Sequence, residues 1–472
     1  MQAAEEIDLE SIHDFATKLA IQAGTALRTN AFHRSRQGHH PASKSKTKPT
    51  RRGKDCNDGN TLNVQEKDSS VDIVTDVDLQ VEKLILERIR SAWPGHKIIA
   101  EETFSSSGGS KDYQIDDSPT WIVDPLDGTV NFTHLFPLIC VSIGFTLKKL
   151  PVVGVIYAPL LSSMDPYSRT GSGGTLWSSV KGRGAYQSYP SLDPRSLADT
   201  TTLRYLVRST ACKEEEEEQE QEQAKVEGGG GGGGEEEEEE EEEGRVFKLP
   251  LQPKRPLPLT SPNGLLLASE WGKDRSDHDP QTSNLSRKVE TFWNLACKNG
   301  GRQGKGGQVH GIRSLGSAAL DLAFCASGSV DIFWEGGCWE WDVCAGIAIL
   351  LESGGYVEDS NPPDPGSKLW LEGQEEEGGS NRMETSSPLP CSSESDDYEQ
   401  RLRVSLGARR FLCIRSCSPL VSEGEGGDGG GEGVHENVES SLASQKRVVR
   451  EIWRRTRGLN YSRPGIKYVD RS

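Results

Sequence analysis

The stretch "WIVDPLDGTVNFTH", Trp121 to His134, carries two aspartates three residues apart at the end of an apolar segment. Pro125 restricts the backbone after Asp124, and a tight Pro-Leu-Asp-Gly turn lets both aspartate side chains and the Leu126 carbonyl face one ion. The residues therefore predict a buried strand that ends in half of a cation site formed by Asp124, Asp127 and Leu126.

Gly128 and Thr129 follow this acidic turn at once. They offer backbone N–H groups and a hydroxyl at the start of a helical segment, where unpaired donors and the helix dipole favour a phosphate dianion. A cation site beside an anion cradle indicates phosphate chemistry.

Three further places put carboxylates beside apolar sequence: Asp78 in "VTDVD", Glu101 in "IIAEET" and Asp342 in "WEWDVCAG". Taken singly, Asp78 and Asp342 would more often be helix caps, because each precedes an apolar helix. Taken together, carboxylates that share a site need cations to stay ionised. Ligand atoms that are all oxygens favour Mg²⁺ first and Mn²⁺ second.

Helical and strand patterns alternate along the chain, which predicts an α/β protein with a layered core. Apolar residues recur at helical spacing over residues 7–29, and "WDVCAGIAILLESGG" predicts a helix capped by Gly354 and Gly355. Other predicted elements are a strand and helix over 69–95, a strand over 96–102, a strand pair over 138–159, and a helix closed by Gly328 with a strand after it.

We expect a single domain over residues 1–472 that is interrupted by four insertions without fixed structure. The 213–244 segment holds 17 Glu against 2 Lys, so it contributes −15 of the net charge of −18 and leaves −3 for the rest. The predicted insertions are 33–64 (basic), 213–244 (acidic and Gly-rich), 361–400 (polar) and 423–437 (Gly-rich and acidic).

Targeting and partner signals are weak. The start, "MQAAEEIDLE", lacks a basic and an apolar region, and no window approaches eighteen uninterrupted apolar residues, so no membrane partner is expected. The basic 33–64 run lacks interleaved aromatic residues, so we expect no nucleic-acid partner either. Ten cysteines at irregular spacing, several within apolar runs, fit buried thiols in a reducing cytoplasm.

The carboxylate motifs resemble those of the inositol monophosphatase family of Mg²⁺-dependent, lithium-sensitive phosphatases. The matching blocks are "VDIVTDVD", "AEET", "WIVDPLDGTVNFTHLFPLICVSIGF", "HGIRSLGSAALDLAFCASGSVDIFWE" and "WEWDVCAGIAILLESGG", in the family's order. The resemblance implies a layered α/β/α/β/α sandwich of the sugar-phosphatase type, hydrolysis of inositol monophosphate or a similar small phosphate ester by two-metal activation of water, and a homodimer.

The resemblance also implies a role for each matching residue. Glu101, Thr129 and Asp78 would orient and deprotonate the attacking water. The implied metal ligands are Glu101, Asp124, the Leu126 carbonyl, Asp127 and Asp342. The implied substrate contacts are Asp127, Gly128, Thr129, Gly316, Ser317, Ala318, Glu335 and Asp342.

Alternatives remain at the level of the substrate. Fructose bisphosphatases and nucleotide 3′-phosphatases share the D-P-x-D-G core. The segment "GGCWEW" places Trp339 where many animal members carry a histidine, and similar segments occur in fungal members linked to quinate utilisation. A phosphatase-fold protein that senses a metabolite in quinate utilisation is therefore a second hypothesis.

Overall fold

A computed structural model describes most of the chain. The described ranges are 7–37, 64–69, 72–107, 114–161, 173–190, 246–252, 255–275, 283–299, 306–364, 398, 400–423 and 436–461. The predicted insertion at 213–244 lies outside these ranges.

Eight α-helices lie within the described ranges, and they alternate with strands as the periodicity predicts, except between α4 and α5, where six described strands follow one another. They are α1 Leu9–Gln37, α2 Asp76–Ala92, α3 Glu101–Ser106, α4 Thr129–Thr133, α5 Asn284–Ala296, α6 Ala318–Ser327, α7 Glu340–Glu352 and α8 Ser441–Trp453.

The larger of the two main sheets has seven strands in simple sequence order, β3-β4-β5-β6-β7-β8-β9. Its first pair is parallel and the other pairs are antiparallel. Its strands are β3 Lys97–Ala100, β4 Thr120–Asp127, β5 Cys140–Leu147, β6 Leu150–Ala158, β7 Thr175–Val180, β8 Gly184–Ser188 and β9 Val246–Lys248.

The smaller main sheet has five strands in the order β11-β10-β12-β14-β13. Its strands are β10 Leu266–Ala268, β11 Gly311–Arg313, β12 Ile332–Gly336, β13 Tyr356–Glu358 and β14 Arg410–Ile414. Two hairpins stand apart from both sheets, formed by β1 Val64–Ser69 with β2 Asp72–Thr75 and by β15 Leu420–Glu423 with β16 Glu436–Glu439.

Three apolar clusters hold these elements in five layers. Helices α1 and α2 cover the outer face of the seven-stranded sheet, α6 and α7 fill the space between the two sheets, and α5 and α8 cover the far face of the five-stranded sheet. Each layer buries one apolar face against the next, which is the general condition for a stable layered domain. The predicted α/β/α/β/α sandwich is confirmed.

Local sequence explains several element boundaries. The β5–β6 turn consists of Lys148 and Lys149, both with positive φ (51° and 67°), as expected for a two-residue hairpin turn that matches the twist of its strands. Helix α6 ends at Gly328 in the left-handed conformation (φ 80°), which confirms the predicted stop.

The edges of three predicted insertions are more ordered than the sequence indicates. Helix α1 continues to Gln37, because Arg34 donates to the carbonyls of Phe132 and Thr133, both at 2.9 Å. In the 361–400 segment, Asn361 exchanges two hydrogen bonds with Leu459 and Tyr398 is buried. The 423–437 segment begins and ends in β15 and β16. Specific long-range contacts fix these edges, and composition does not report such contacts.

The described cysteines are free thiols, and most of them are buried. Burial raises the pKa of the Cys325 and Cys344 thiols, which matches the sequence interpretation of inert, buried cysteines. Within the described ranges, no helix combines the length and apolar character that a membrane crossing requires.

Candidate active site

Asp124 and Asp127 face the same cleft because of a bulge in β4. Side chains alternate across a strand, so residues three apart would normally point to opposite faces. The register against β5 shifts between the two aspartates: Asp124 pairs with Ser142, whereas Asp127 pairs with Cys140. The extra residue in β4 turns both carboxylates to one side, as bulges next to active sites commonly do.

Asp342 joins these two aspartates from the first turn of α7. Carboxylate oxygens of Asp124, Asp127 and Asp342 all lie within 4.8 Å of one another. Glu101, the first residue of α3 directly after β3, is outside this trio but lines the same cleft. A set of carboxylate oxygens at this spacing fits a hard divalent cation, and oxygen-only ligation favours Mg²⁺.

Burial and mutual repulsion leave the carboxylates poorly stabilised as anions without a cation. Burial, followed by the charges of Glu101, Asp127 and Asp342, raises the pKa of Asp124 well above its usual range. Burial, followed by the charges of Glu101 and Asp127, raises the pKa of Asp342 to about 8, although Lys273 partly offsets it. Burial raises the pKa of Asp127 to about 6, although donors from Ser317 and the Ala319 N–H partly offset it. A bound cation would remove this cost.

The metal-free protein should lose stability as the pH rises from about 5 to 9. The pKa values of Asp127 (about 6) and Asp342 (about 8) lie above the usual aspartate value, so the folded state binds protons more tightly than the unfolded chain. This contribution is complete below about pH 4 and is lost as the pH passes through 6 and then 8. We expect the Tm of chelator-treated protein to fall by about 4 °C or more, measured by calorimetry.

The variant Asp342→Asn is the control for this pH dependence. It removes the group with the pKa of about 8, so its Tm should fall less than that of the wild type between pH 7 and 9. An equal fall in both proteins would contradict the assignment.

Asp78 caps a helix and also reaches the site. It forms a capping box with Thr75 at the start of α2, and its Oδ1 accepts a hydrogen bond from Thr129 Oγ1 at 3.2 Å. Thr129 and Asp78, which the resemblance assigns to the same task, are therefore in contact. Burial raises the pKa of Asp78 to about 6 despite the Thr75 donors.

Gly128 permits a close approach of three chain segments. Its φ of 90° lies in the left-handed region, and a Cβ atom there would lie 2.9 Å from the Leu138 carbonyl oxygen and 3.2 Å from that of Gly316. The Asn131 amide locks the same junction by donating to the Leu138 and Leu315 carbonyls, both at 2.7 Å. The α4 start and the 314–316 loop thus form one wall.

The N-terminus of α6 is bound to Asp127. Asp127 Oδ2 accepts from Ser317 Oγ at 2.7 Å and from the Ala319 N–H at 2.8 Å. Ser317 is the N-cap of α6 and Ala318 is its first residue. These bonds join the bulged end of β4 to a segment 190 residues further along the chain.

A single cleft of about 410 Å³ collects the predicted site residues, with the exception of Asp78, which lies behind Thr129. The predicted residues that line it are Glu101, Asp124, Leu126, Asp127, Gly128, Thr129, Gly316, Ser317, Ala318, Glu335 and Asp342.

Five residues of the 270–275 segment also line this cleft, all but Asp274, and none of them was predicted from the sequence. Glu270 accepts from the N–H groups of Leu315 (2.6 Å) and Gly316 (2.8 Å) and from Ser314 Oγ (2.7 Å). Its sequence context, "LLLASEWG", has the signal that identified the other carboxylates, namely an acidic residue directly after a short apolar strand.

Glu335 lies at the floor of the cleft in a buried ion pair with Lys288. The Lys288 ammonium donates to Glu335 Oε1 and, at 2.6 Å, to the Glu270 carbonyl. Glu335 also accepts from the N–H groups of Glu270 (2.6 Å) and Gly336 (2.9 Å). Both carboxylate oxygens are thus engaged by internal donors, and a direct contact with the substrate alcohol stays a prediction.

Trp339 belongs to an aromatic cluster that supports Asp342. Its ring stacks on Trp341 with centroids 5.4 Å apart, and the Arg409 guanidinium lies 3.7 Å above it. The Trp339 N–H donates to Asp342 Oδ2 at 2.6 Å. The two tryptophans therefore anchor the N-terminus of α7 and the orientation of its carboxylate.

Comparison with known proteins gives matches over most of the chain. The model of the inositol monophosphatase family matches residues 8–232 and 241–386. The protein qutG of Emericella nidulans is 37% identical over 97% of both chains. The quinic acid degradation cluster protein x of Neurospora crassa is 38% identical over 97% of both chains. Inositol monophosphatase 2 of Saccharomyces cerevisiae is 32% identical over 64% of this chain and 74% of its own.

The family match covers well over half of the chain, including every block on which the resemblance was based. The chain belongs to the inositol monophosphatase family.

Proposed function

We propose that this phosphatase-family chain is a Mg²⁺-dependent phosphomonoesterase that hydrolyses inositol monophosphate, or a similar polyol phosphate, to the free alcohol and phosphate. The observation that carries the proposal is the trio Asp124, Asp127 and Asp342, whose carboxylate oxygens lie within 4.8 Å of one another in a cleft that Gly128 and Thr129 also line.

In this proposal, Glu101, Asp124 and the Leu126 carbonyl would hold one Mg²⁺, and Asp124, Asp127 and Asp342 a second. When bound, two such ions supply Lewis-acid polarisation of the phosphoryl group and neutralise charge at the attacking and leaving oxygens. Phosphate esters resist hydrolysis strongly without catalysis, so this charge stabilisation would be the main contribution.

The protein's own groups would position the water and accept its proton. The single proton of the Thr129 hydroxyl has two acceptors within reach, Asp78 Oδ1 at 3.2 Å and the Leu126 carbonyl oxygen at 3.1 Å, so the hydroxyl lone pairs are available to accept a hydrogen bond from water in the cleft. Glu101, which lines the same cleft, would accept the proton at a carboxylate oxygen. The N–H groups of Gly128 and Thr129 would hold the phosphate oxygens.

Thr129→Val should lower kcat by about 10²-fold to 10⁴-fold, because it removes the hydroxyl but keeps the branched shape of the side chain. Thr129→Ser retains the hydroxyl and serves as the matched control, so it should keep most of the activity. Steady-state phosphate release over a range of Mg²⁺ concentrations would measure both. Equal activity of the Val and Ser variants would contradict the role of the hydroxyl.

The substrate is tested by phosphate release from inositol 1-phosphate, adenosine 3′,5′-bisphosphate and fructose 1,6-bisphosphate, with and without Mg²⁺ and Li⁺. We expect Mg²⁺-dependent turnover of inositol 1-phosphate that Li⁺ inhibits. Preference for one of the two bisphosphates would favour a nucleotide or sugar bisphosphate phosphatase. No turnover of any ester with Mg²⁺ would contradict the enzyme proposal.

A second candidate is a phosphatase-fold protein that acts in quinate utilisation without turnover. The name of the Neurospora relative, quinic acid degradation cluster protein x, which matches over 97% of both chains, supports a role in quinate utilisation. The complete carboxylate set favours the enzyme. We also propose that the chain forms a homodimer, as the family resemblance implies, and sedimentation velocity would test it.

A further inference from the structure

We propose that the cleft selects phosphate esters whose alcohol part carries a carboxylate, which Lys273 and Arg275 would bind. This inference rests on the proposed phosphatase function and specifies its substrate class.

The segment that carries both cations is fixed against the wall where the alcohol is expected. Glu270 begins the segment, and its carboxylate accepts three hydrogen bonds from the 314–316 loop. Lys273 and Arg275 follow within five residues and line the same cleft. The predicted substrate contacts Gly316 to Ala318 begin in this loop, so in the proposal Arg275 would stand beside the alcohol portion of a bound ester, and Lys273 between that portion and Glu101.

Each acidic residue of the cleft is assigned either to the proposed metal ions or to hydrogen-bond donors of the protein. Glu101, Asp124, Asp127 and Asp342 form the proposed metal set. The remaining two acidic lining residues, Glu270 and Glu335, accept from internal donors, and Glu335 is also paired with Lys288. The 270–275 segment therefore presents two cations to the cleft, while the Glu270 and Glu335 carboxylates are held by donors of the protein.

The two cations differ in their surroundings. Because one of them is partly balanced by a protein carboxylate, the pair suits a ligand group with a single negative charge. Lys273 Nζ lies 3.8 Å from Glu101 Oε1, so part of its charge is balanced within the protein. Arg275 is exposed, and its Nε donates to the Gly272 carbonyl at 2.7 Å, which orients the guanidinium at the cleft wall. A planar guanidinium matches a carboxylate through two parallel hydrogen bonds.

Two ring phosphates that differ at one carbon would test the proposal. Glucose 1-phosphate and glucuronate 1-phosphate share the ring and the ester, and only the second has a carboxylate at carbon 6. The quantity to compare is the ratio of kcat/KM, glucuronate 1-phosphate over glucose 1-phosphate. We expect a ratio of about 10 or more in the wild type. The variants Arg275→Gln and Lys273→Gln should each lower this ratio about tenfold or more.

Lys83→Gln is the matched control, because Lys83 is an exposed lysine on α2 that pairs only loosely with Glu87 at 3.9 Å. Its ratio should equal that of the wild type. A high wild-type ratio that falls with ionic strength would further support a charge contact.

Three outcomes would overturn the proposal. If both esters are hydrolysed and the wild-type ratio is one or less, the carboxylate preference is wrong while the phosphatase function stands. If Arg275→Gln lowers kcat/KM equally for both esters, Arg275 holds the phosphate and not a second group. If neither these esters nor p-nitrophenyl phosphate is hydrolysed with Mg²⁺, the phosphatase function fails and this inference with it.

Discussion

Asp124→Asn should lower kcat for phosphate-ester hydrolysis by about 10³-fold or more and, in the absence of metal, raise the Tm. The loss of activity follows because the proposed role of Asp124 is to ligate both cations, and the charge stabilisation they supply amounts to several kcal/mol. The gain in stability follows because burial and three neighbouring carboxylates raise the pKa of Asp124 well above its usual range. An uncharged amide removes that repulsion.

The opposite signs of the two effects distinguish ligand loss from misfolding. Activity would be measured by phosphate release and stability by calorimetry with chelator and with Mg²⁺. The wild type should gain more stability from Mg²⁺ than the variant does. An Asn variant that stays active would refute the shared ligand, and a variant that melts at a lower temperature than the wild type without metal would refute the repulsion.

Asp116→Asn is a suitable control for this experiment. Asp116 also carries a carboxylate, but it is satisfied by Lys97 Nζ and the Ser118 N–H, both at 2.9 Å. These donors, with Lys97 first, lower the pKa of Asp116 to about 2. Its amide variant should keep full activity and should not gain stability.

Lys288→Met should lower the free energy of unfolding by about 3–5 kcal/mol, because it leaves the buried carboxylate of Glu335 without its cation. Lys288 is 0% exposed and Glu335 is 1% exposed. Methionine has nearly the length of the lysine stem, so the change removes the charge with little loss of packing. Urea unfolding of the metal-free protein would measure the effect.

The double variant Lys288→Met with Glu335→Gln should recover part of this loss, since it removes both charges together. Lys83→Met provides the exposed lysine control and should change stability by less than about 0.5 kcal/mol. A loss below about 1 kcal/mol in Lys288→Met, or a double variant less stable than the sum of the single variants, would contradict the buried pair.

Local pattern was enough to predict the chemical character of the site. Asp124 and Asp127 lie at the end of a buried strand and Asp342 in the first turn of a buried helix, and the trio meets in space as the set predicts. Asp78 is both a helix-capping residue and a site residue, the two interpretations that the sequence allowed. The same carboxylate completes a capping box and accepts a hydrogen bond from Thr129.

Other features had no local signal or only a weak one. The bulge in β4 depends on pairing with β5, so the spacing of Asp124 and Asp127 alone does not show that both face the cleft. Lys288 lies on a helix whose pattern allows it to be exposed, yet it is completely buried. Its burial depends on Glu335 from a separate strand.

The sequence by itself determined the layered order of helices and strands, the oxygen-rich ligand set and the family. These follow from periodicity and from short motifs, which act within a few residues. Only the tertiary structure decided which residues meet across the cleft, that Glu270 and Glu335 are engaged by internal donors, and that Lys273 and Arg275 line the same cleft. Burial and choice of partner depend on packing between segments far apart in the chain, and local pattern does not encode that packing.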